Sequence, residues 1–274
     1  MTSAPRPVSK FPLPLERVAG SGARTGAAPA RSVLRPQVLV QQAAADAARR
    51  VVPSGLGLDS VEIRRRMVQR LQAKGLTAPG VIAALMAVAR DRFVDSALVN
   101  QAYEDTSLPI GHGQTISKPS VVAHMIELLS QGAAARESAS LGRVLEIGTG
   151  CGYQAAVLAQ LAREVFSIER VRALHDKARV HLSALRETRV RLVYGDGRLG
   201  HAPNAPYRSI IAAAGGESLP QAWLDQLEVG GRLVAPVRSA DGRQQLVVVD
   251  RGEQGLQRSL HDAVLFVPLK AGLD

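Results

Sequence analysis

Short apolar runs in the second half of the chain each end in a glycine-rich or acidic turn, and helical patterns lie between them. Residues 144–147 form the first run, and glycines follow it at alternate positions. The next segment, 155–162, repeats apolar residues at helical spacing. Further apolar runs lie at 163–170 and 190–197. Strands that alternate with helices in this way predict an α/β domain with a parallel sheet.

The amino-terminal half shows helical spacing instead. Asp59 and Glu62 have the spacing of a capping box, and the apolar residues that follow every four positions predict a helix. Thr77 and Pro79 predict the start of a second helix. The stretch 91–117 has no long period, so we expect loops and a short helix there.

A third amino-terminal helix is predicted to begin at Pro119 and to end at Gly132, because proline suits the first helical turn and glycine the end. Its apolar positions form one inward face: Val122, Met125, Ile126 and Leu129. Residues 135–142 are small and polar, so they are predicted to be a surface connection.

The remaining apolar runs complete the predicted sheet. Strands are expected at 207–214, 230–237, 245–251 and 263–269, with a helix at 219–227. The last two strands have no helical pattern between them and are therefore expected to be antiparallel. The fold class that follows is a doubly wound, mostly parallel Rossmann-like α/β sheet (140–274), with a helical amino-terminal part (56–135) and an antiparallel carboxyl-terminal edge.

The glycine-rich turn indicates a nucleotide-like ligand. Its pattern is Glu-x-Gly-x-Gly-x-Gly, with glycines at Gly148, Gly150 and Gly152, and it differs from the Gly-x-Gly-x-x-Gly of dinucleotide sites. We expect Glu146 to lie at the mouth of this turn. A carboxylate there repels phosphate and can neutralise a cation, which favours S-adenosylmethionine over NAD.

Two further acids follow the next two strands. Glu169 ends the run at 163–170, where an acid is placed to accept hydrogen bonds from ribose hydroxyls. Asp196 lies between two glycines after the following run. Each residue alone has a simpler interpretation, as a surface Glu–Arg pair or an ordinary Asp–Gly turn. Acids at three successive strand ends favour a ligand site instead, because ligands of open α/β sheets bind there.

The composition argues against several classes of protein. The sequence is 46% apolar, yet no apolar run approaches the roughly 20 residues of a membrane helix. Its one cysteine, Cys151, allows no internal disulfide, and no metal-ligand pattern is visible. The net charge of +10 could suggest nucleic acid, but aromatic residues make up only 3%, which leaves little for base stacking.

Residues 1–55 have a composition of their own. They hold seven of the fifteen prolines, and eight basic against two acidic residues, so 8 − 2 = +6 of the net charge lies there. With few large apolar residues at any regular period, the segment is predicted to be a disordered basic tail. It has no apolar core of a secretory signal.

Seven segments between about Asp59 and Leu269 share their order and approximate spacing with one family: LPIGHGQTISKP (108–119), VLEIGTGCGYQAAVLA (144–159), IER (168–170), GDGRLG (195–200), APYRSII (205–211), LDQLEVGGRLVAPV (224–237) and FVPL (266–269). On these segments the chain resembles the protein-L-isoaspartate O-methyltransferases, which are class I S-adenosylmethionine-dependent enzymes. The glycine motif by itself indicates only some class I methyltransferase, whereas the stretch 108–119 is far more specific. The chain departs from the family pattern at Lys118, His201 and 215–218.

The resemblance implies methyl transfer from S-adenosylmethionine to the free α-carboxylate of isoaspartyl residues, which starts repair of damaged proteins through a succinimide and leaves S-adenosylhomocysteine. It implies that Ser117 is the catalytic residue and that Ile116 also contacts substrate. A capping role for Ser117 ahead of Pro119 is the alternative. The cofactor-binding residues that it implies are Thr115, Glu146, Gly148, Thr149, Gly150, Gly152, Glu169, Arg170, Asp196 and Gly197.

Two other functions stay open from the sequence. One is methylation of RNA or of a small molecule by the same fold, and the other is a cofactor-binding module without catalysis. The expected partners are isoaspartyl proteins and peptides, with no stable nucleic-acid partner, no membrane and no metal. We expect a cytoplasmic monomer.

Overall fold

The computed structural model describes residues 61–239 and 241–274. Helices α1 (Val61–Ala73) and α2 (Pro79–Ala87) begin this part of the chain, as the periodicity predicts. The predicted capping residue Asp59 lies outside the described residues. Glu127 supplies the cap of α2 from a distant helix, because its Oε1 accepts from the backbone N–H groups of residues 77 and 78.

The segment between the second and third helices is more ordered than predicted. Two 3₁₀ turns, Arg90–Phe93 and Ser96–Gln101, precede a small antiparallel hairpin of β1 (Leu108–Gly111) and β2 (Gln114–Ile116). Residue 112, at the tip of this hairpin, has a positive φ of 52°. Strands this short show no period that a sequence pattern could detect.

Helix α3 (Pro119–Ser130) buries the predicted face of four apolar residues. The expected surface connection after it is wrong in part, because Ala133–Ser138 forms a short helix, α4. Ala135 of α4 is buried. Alanine has high helix propensity, and three alanines, 133–135, begin α4.

A seven-stranded sheet in the order β5-β4-β3-β6-β7-β8-β9 forms the centre of the domain. The first five strands in that order are parallel, whereas β7–β8 and β8–β9 are antiparallel. The doubly wound fold class is therefore confirmed. The strands are β3 (Arg143–Ile147), β4 (Glu164–Glu169), β5 (Val190–Tyr194), β6 (Tyr207–Ala212), β7 (Leu227–Arg238), β8 (Gln244–Gly252) and β9 (Gly255–Val264).

Helices cover both faces of this sheet. Helix α5 (Tyr153–Ala159) follows the glycine turn and is buried on all sides, and α6 (Arg172–Ala184) packs beside it. The short helix α7 (Gln221–Asp225) buries Trp223 against the other face. In the part of the chain that the structure describes, no helix is both long and apolar enough to cross a membrane.

The last strand lies earlier in the chain than predicted. A tight turn at Gly252–Gly255 brings β9 back along β8, so residues 255–264 pair although half of them are polar. Of the predicted run 263–269, only the first two residues belong to the strand. The rest forms an isolated bridge, in which Gly215 N–H donates to Val267 O and Leu269 N–H donates to Gly215 O. Register is set here by the turn and not by apolar alternation.

Candidate active site

A cavity of about 100 Å³ that opens to solvent lies at the carboxyl ends of β3, β4 and β6. The strand order changes direction at this point: β4 and β5 lie on one side of β3, and β6 and β7 lie on the other. Open α/β sheets bind ligands at such a switch point. Nine of the twelve residues predicted for the site line this cavity: Thr115, Ile116, Ser117, Gly148, Thr149, Gly150, Glu169, Arg170 and Gly197. The other three are Glu146, Gly152 and Asp196.

The glycine turn is held by the neighbouring strand. Gly148 N–H donates to Ile168 O at 2.9 Å, and Gly150 N–H donates to Glu169 Oε2 at 2.9 Å. Gly150 has a φ of +55°, and a Cβ there would lie 3.1 Å from Ile110 of the β1–β2 hairpin. Glycine is needed at this position because the backbone conformation and the close approach both disfavour a side chain.

Glu169 joins the turn to the next helix. Its second oxygen, Oε1, accepts from Val171 N–H at 2.9 Å, so both carboxylate oxygens receive a backbone donor. The side chain is buried but still forms part of the cavity wall. An ionised carboxylate has further acceptor capacity on each oxygen, which leaves room for a ligand hydroxyl.

Glu146 does not lie at the mouth of the turn, so that expectation is wrong. Its neighbours Leu145 and Ile147 pack on one face of the sheet, and strand alternation turns Glu146 to the other face. There it is completely buried. Ser167 Oγ donates to its Oε2 at 2.5 Å, and the Oγ atoms of Thr149 and Ser167 are 2.6 Å apart. A chain of hydrogen bonds thus joins Glu146 to the cavity wall.

Burial also changes the charge of this residue. Desolvation raises the pKa of Glu146 to about 8, against the opposing effect of its hydrogen bond from Ser167. Glu146 Oε1 has no hydrogen-bond partner among the described residues. A cation close to this carboxyl group would favour its ionised form.

In this structure Asp196 accepts from two backbone N–H groups, and Gly152 packs against a helix. Asp196 Oδ1 accepts from Arg198 N–H at 2.9 Å, and Oδ2 accepts from Gly272 N–H at 2.7 Å. Gly152 begins α5 and faces α6, where a Cβ would lie 3.4 Å from Ala178. Their predicted roles toward a cofactor stay predictions.

The last residues of the chain lie across the ends of β4 and β5. Arg170 Nε donates to Gly272 O at 2.9 Å, and Tyr194 Oη donates to Asp274 O at 3.2 Å. Just before this segment, Lys270 contributes to the cavity wall. The carboxyl-terminal segment therefore contacts the same loops that carry Glu169 and Asp196.

Ser117 connects β2 to α3 and lines the cavity. The capping alternative is wrong, because the residue at the cap position of α3 is Lys118 and no side-chain cap bond is made there. Asp105 performs that role from another loop, since its Oδ1 accepts from Ser120 N–H at 3.0 Å. The Ser117 side chain is thus not needed to begin the helix.

Sequence reasoning missed several residues around the cavity. Tyr153 and Gln154, the first residues of α5, line it, and in the described part of the chain neither Tyr153 Oη nor Gln154 Nε2 has a hydrogen-bond partner. Arg90 lies behind the wall, completely buried. Arginine is usually exposed, so the pattern around residue 90 contained no signal for a buried role.

The two single-residue departures from the family pattern lie away from the cavity wall. Lys118 is exposed. His201 stacks on Phe166 with ring centroids 5.6 Å apart, and its Nε2 lies 2.9 Å from Asn204 Oδ1. Neither side chain is part of the wall that contains Ser117.

The residues present fit a cationic nucleoside ligand. Backbone glycines allow close approach at the turn, Glu169 offers acceptor capacity, and a buried carboxyl group with an unpaired oxygen lies beneath. Within residues 61–239 and 241–274, no group of three or more His, Cys, Asp or Glu side chains could hold a metal ion.

A model of the family described as protein-L-isoaspartate(D-aspartate) O-methyltransferase matches residues 62–274. The chain belongs to this family. A protein-L-isoaspartate O-methyltransferase of Methylibium petroleiphilum is 61% identical over 276 residues, and the match covers all of both chains. The family name describes methyl transfer to an oxygen of isoaspartate or D-aspartate in proteins.

Solved structures of the family share the architecture. A protein-L-isoaspartate O-methyltransferase superposes with a TM-score of 0.68 at 26% identity and covers 77% of this chain and 67% of its own. A putative member from Plasmodium falciparum, in complex with S-adenosyl-L-homocysteine, gives a TM-score of 0.63 at 21% identity. It covers 76% of this chain and 98% of its own, and at this identity the likeness concerns the fold.

Proposed function

We propose that this chain transfers a methyl group from S-adenosylmethionine to the α-carboxylate of L-isoaspartyl residues in damaged proteins. One observation carries the proposal: Ser117, the glycine turn and Glu169 line a single cavity in a member of this family. The expected products are S-adenosylhomocysteine and a methyl ester. The ester then recloses to a succinimide, which opens in part to normal aspartate.

The reaction needs no general base. An α-carboxyl group has a pKa of about 3.3–3.7, so the substrate is an anion at neutral pH. A carboxylate oxygen forms a bond with the methyl carbon as the carbon–sulfur bond breaks, and both charges are neutralised without proton transfer. Among the groups in the wall, burial raises the pKa of Cys151 to about 11, which keeps its thiol neutral.

Catalysis then depends on orientation and on exclusion of water. The Ser117 hydroxyl would donate to the carboxylate and hold one oxygen in line with the methyl carbon, at roughly 3–3.5 Å. Ile116, which is buried, and the backbone of Thr115 would form the wall beside it. A cavity wall that excludes water strengthens the attraction between opposite charges as they approach.

The other half of the cavity would hold the cofactor, which supplies an activated methyl group when bound. Gly148, Thr149 and Gly150 would face it with their backbone, and Glu169 would accept from the ribose hydroxyls. Arg170 and Gly197 border the same space. Glu146 would act from beneath the turn, by ionising when a positive charge lies above it.

The proposed partners are isoaspartyl proteins and peptides, which a monomer would meet in the cytoplasm without a stable nucleic-acid partner. Most of the net charge lies in residues 1–55, outside the described residues: +6 of the net +10. The cavity wall itself contains both Glu169 and Arg170, so it presents no single-sign surface for a polyanion.

The first test is methyl transfer from labelled S-adenosylmethionine to an isoaspartyl peptide, its aspartyl twin and bulk RNA. We expect the isoaspartyl peptide alone to be labelled. Label in RNA and none in the peptide would replace the proposal with an RNA methyltransferase. Binding of S-adenosylhomocysteine without any transfer would favour a cofactor-binding module.

The second test is Ser117→Ala. The variant loses a hydrogen bond that is made chiefly in the transition state. By analogy with oxyanion-hole donors, we expect the activation free energy to rise by about 2–4 kcal/mol and kcat to fall accordingly. Affinity for S-adenosylhomocysteine should change little, as measured by calorimetry. Ser130→Ala, at the far end of α3, is the matched control. Unchanged turnover in Ser117→Ala would remove this residue from the mechanism.

A further inference from the structure

Arg90 is a completely buried arginine that lies behind the cavity wall. Its Nε donates to Ala102 O at 2.8 Å, and its Nη2 donates to Ser117 O at 2.7 Å. Burial lowers the pKa of Arg90 below its ordinary value. Removing a guanidinium group from water is costly, and hydrogen bonds to buried acceptors offset part of that cost.

The hydrogen bond from Arg90 orients the Ser117 backbone. Strand β2 ends at Ile116, and α3 begins at Pro119, which has no N–H group. Ser117 therefore lies in a connection of two residues between regular elements. Fixing its carbonyl also fixes its peptide plane, and with it the direction in which its Cα–Cβ bond projects into the cavity.

The same guanidinium group reaches the glycine-turn side of the cavity. Its central carbon lies 4.8 Å from the centroid of the Tyr153 ring, which is the distance of a cation–π contact. Tyr153 lines the cavity and directly follows Gly152. One side chain thus contacts both the Ser117 connection and the first residue of the helix after the glycine turn.

We infer that Arg90 is a positioning residue for methyl transfer, which sets the Ser117 hydroxyl relative to the glycine turn through one hydrogen bond and one ring contact. This inference rests on the proposed role of Ser117. The planar fork of arginine can donate in two directions while its face lies over a ring, whereas lysine offers a point charge and one donor direction at this depth. Arg90→Lys therefore retains a cation but loses the double attachment.

The experiment compares Arg90→Lys with Arg70→Lys. Arg70 Nη2 donates to Tyr103 O at 2.7 Å, the carbonyl next to that of Ala102, so it makes a bond of the same kind without touching Ser117. A displacement of about 1 Å at a reacting group can cost up to roughly 10²-fold, so we expect kcat for an isoaspartyl peptide to fall at least tenfold in Arg90→Lys. In Arg70→Lys, kcat should stay within about threefold. Equal losses of kcat in both variants would overturn the inference.

A double-mutant cycle separates positioning from general loss of structure. If Arg90 acts through the Ser117 hydroxyl, then Arg90→Lys should lower kcat by no more than about twofold in a Ser117→Ala background. If the two substitutions act independently, the fold losses of kcat should multiply in the double variant. Multiplied losses overturn the inference about Arg90 and leave the role of Ser117 intact. If Ser117→Ala alone has normal turnover, the proposed function of Ser117 fails first. Arg90→Gln, which keeps an amide donor, replaces Arg90→Lys in the cycle if the lysine variant does not fold.

Discussion

Glu146 and Glu169 occupy neighbouring strands, yet their carboxyl groups have opposite surroundings. Glu169 receives two backbone N–H donors, one on each carboxyl oxygen. Glu146 receives a hydroxyl donor and keeps one oxygen unpaired. Glu146 pairs with Ser167, and Glu169 follows two residues later on the same strand, so both carboxyl groups lie on one face of the sheet. At the scale of single residues, the depth of burial and the nearby donors set the surroundings of each carboxyl group.

The stability of the protein should therefore depend on Glu146 in a defined pH window. The pKa of this carboxyl group is raised from 4.5 to about 8 by burial, so between these values the unfolded chain is ionised while the folded chain keeps its proton. The folded state then binds more protons, and the free energy of unfolding falls as pH rises through this window. Glu146→Gln should gain stability relative to the parent between pH 5 and 8, with no further change above.

Urea unfolding at several pH values measures this difference. Glu253→Gln, on the exposed turn between β8 and β9, is the matched control and should show no such trend. A stability difference between Glu146→Gln and the parent that is constant from pH 5 to 8 would contradict the raised pKa.

Glu169 is expected to matter for both the turn and the ligand. A glutamine at this position has one acceptor oxygen, so it cannot accept from both Gly150 N–H and Val171 N–H. Glu169→Gln should weaken binding of S-adenosylhomocysteine by about 1–3 kcal/mol and also lower the melting temperature. Glu164→Gln, at the other end of β4, should leave the affinity unchanged. Calorimetry measures the affinity of both variants for S-adenosylhomocysteine. If Glu169→Gln binds as tightly as Glu164→Gln, Glu169 is not part of the cofactor site.

At the scale of elements, the site depends on how α3 begins. Ser117 leads into this helix, and the donor at its first turn is satisfied by Asp105 from a separate loop. Asp105 Oδ2 also pairs with Lys74 Nζ at 2.6 Å. Although partial burial acts in the opposite direction, the bonds from Lys74 and Ser120 lower the pKa of Asp105, so its contribution is present above pH 3.8 and is lost as pH falls through the lowered value.

Two substitutions separate the cap from the ion pair. Asp105→Ala removes both and should cost about 1 kcal/mol or somewhat more in free energy of unfolding. Asp105→Asn keeps a capping oxygen and should lose only the exposed ion pair, about 0.2–1 kcal/mol. Equilibrium unfolding at pH 7 measures both, and equal losses in the two variants would show that the cap contributes nothing.

Elements with a long period were predictable, and the short ones were not. Helix α3 repeats its apolar positions over three turns, and that repeat is visible in the sequence. Hairpin β1–β2 has strands of four and three residues, and its register depends on contacts across the turn. Helix α4 and strand β9 likewise owe their places to neighbours that lie far away along the chain.

At the scale of the whole molecule, residues 1–55 are predicted to be dispensable for folding and catalysis. They hold +6 of the net charge and seven prolines without an apolar period, so they have little with which to build a packed surface. A chain that begins at Leu56 should keep its melting temperature and its turnover. A chain that begins at Leu76 loses α1, which buries Met67, Val68 and Leu71, and should melt at a lower temperature. A large loss in the first truncation would show that the domain needs the tail.

The sequence by itself determined the α/β class, the strand-end site and the family, because apolar period, glycine spacing and the stretch 108–119 are local patterns. Nine of the residues that it predicted for a site line one cavity, since the carboxyl ends of parallel strands share one edge. Only the tertiary structure decided that Glu146 is buried beneath the turn and that Asp105 caps α3. It also decided that Arg90 holds Ser117. These three facts depend on which face of an element meets another, and contacts between residues distant in sequence leave no local pattern.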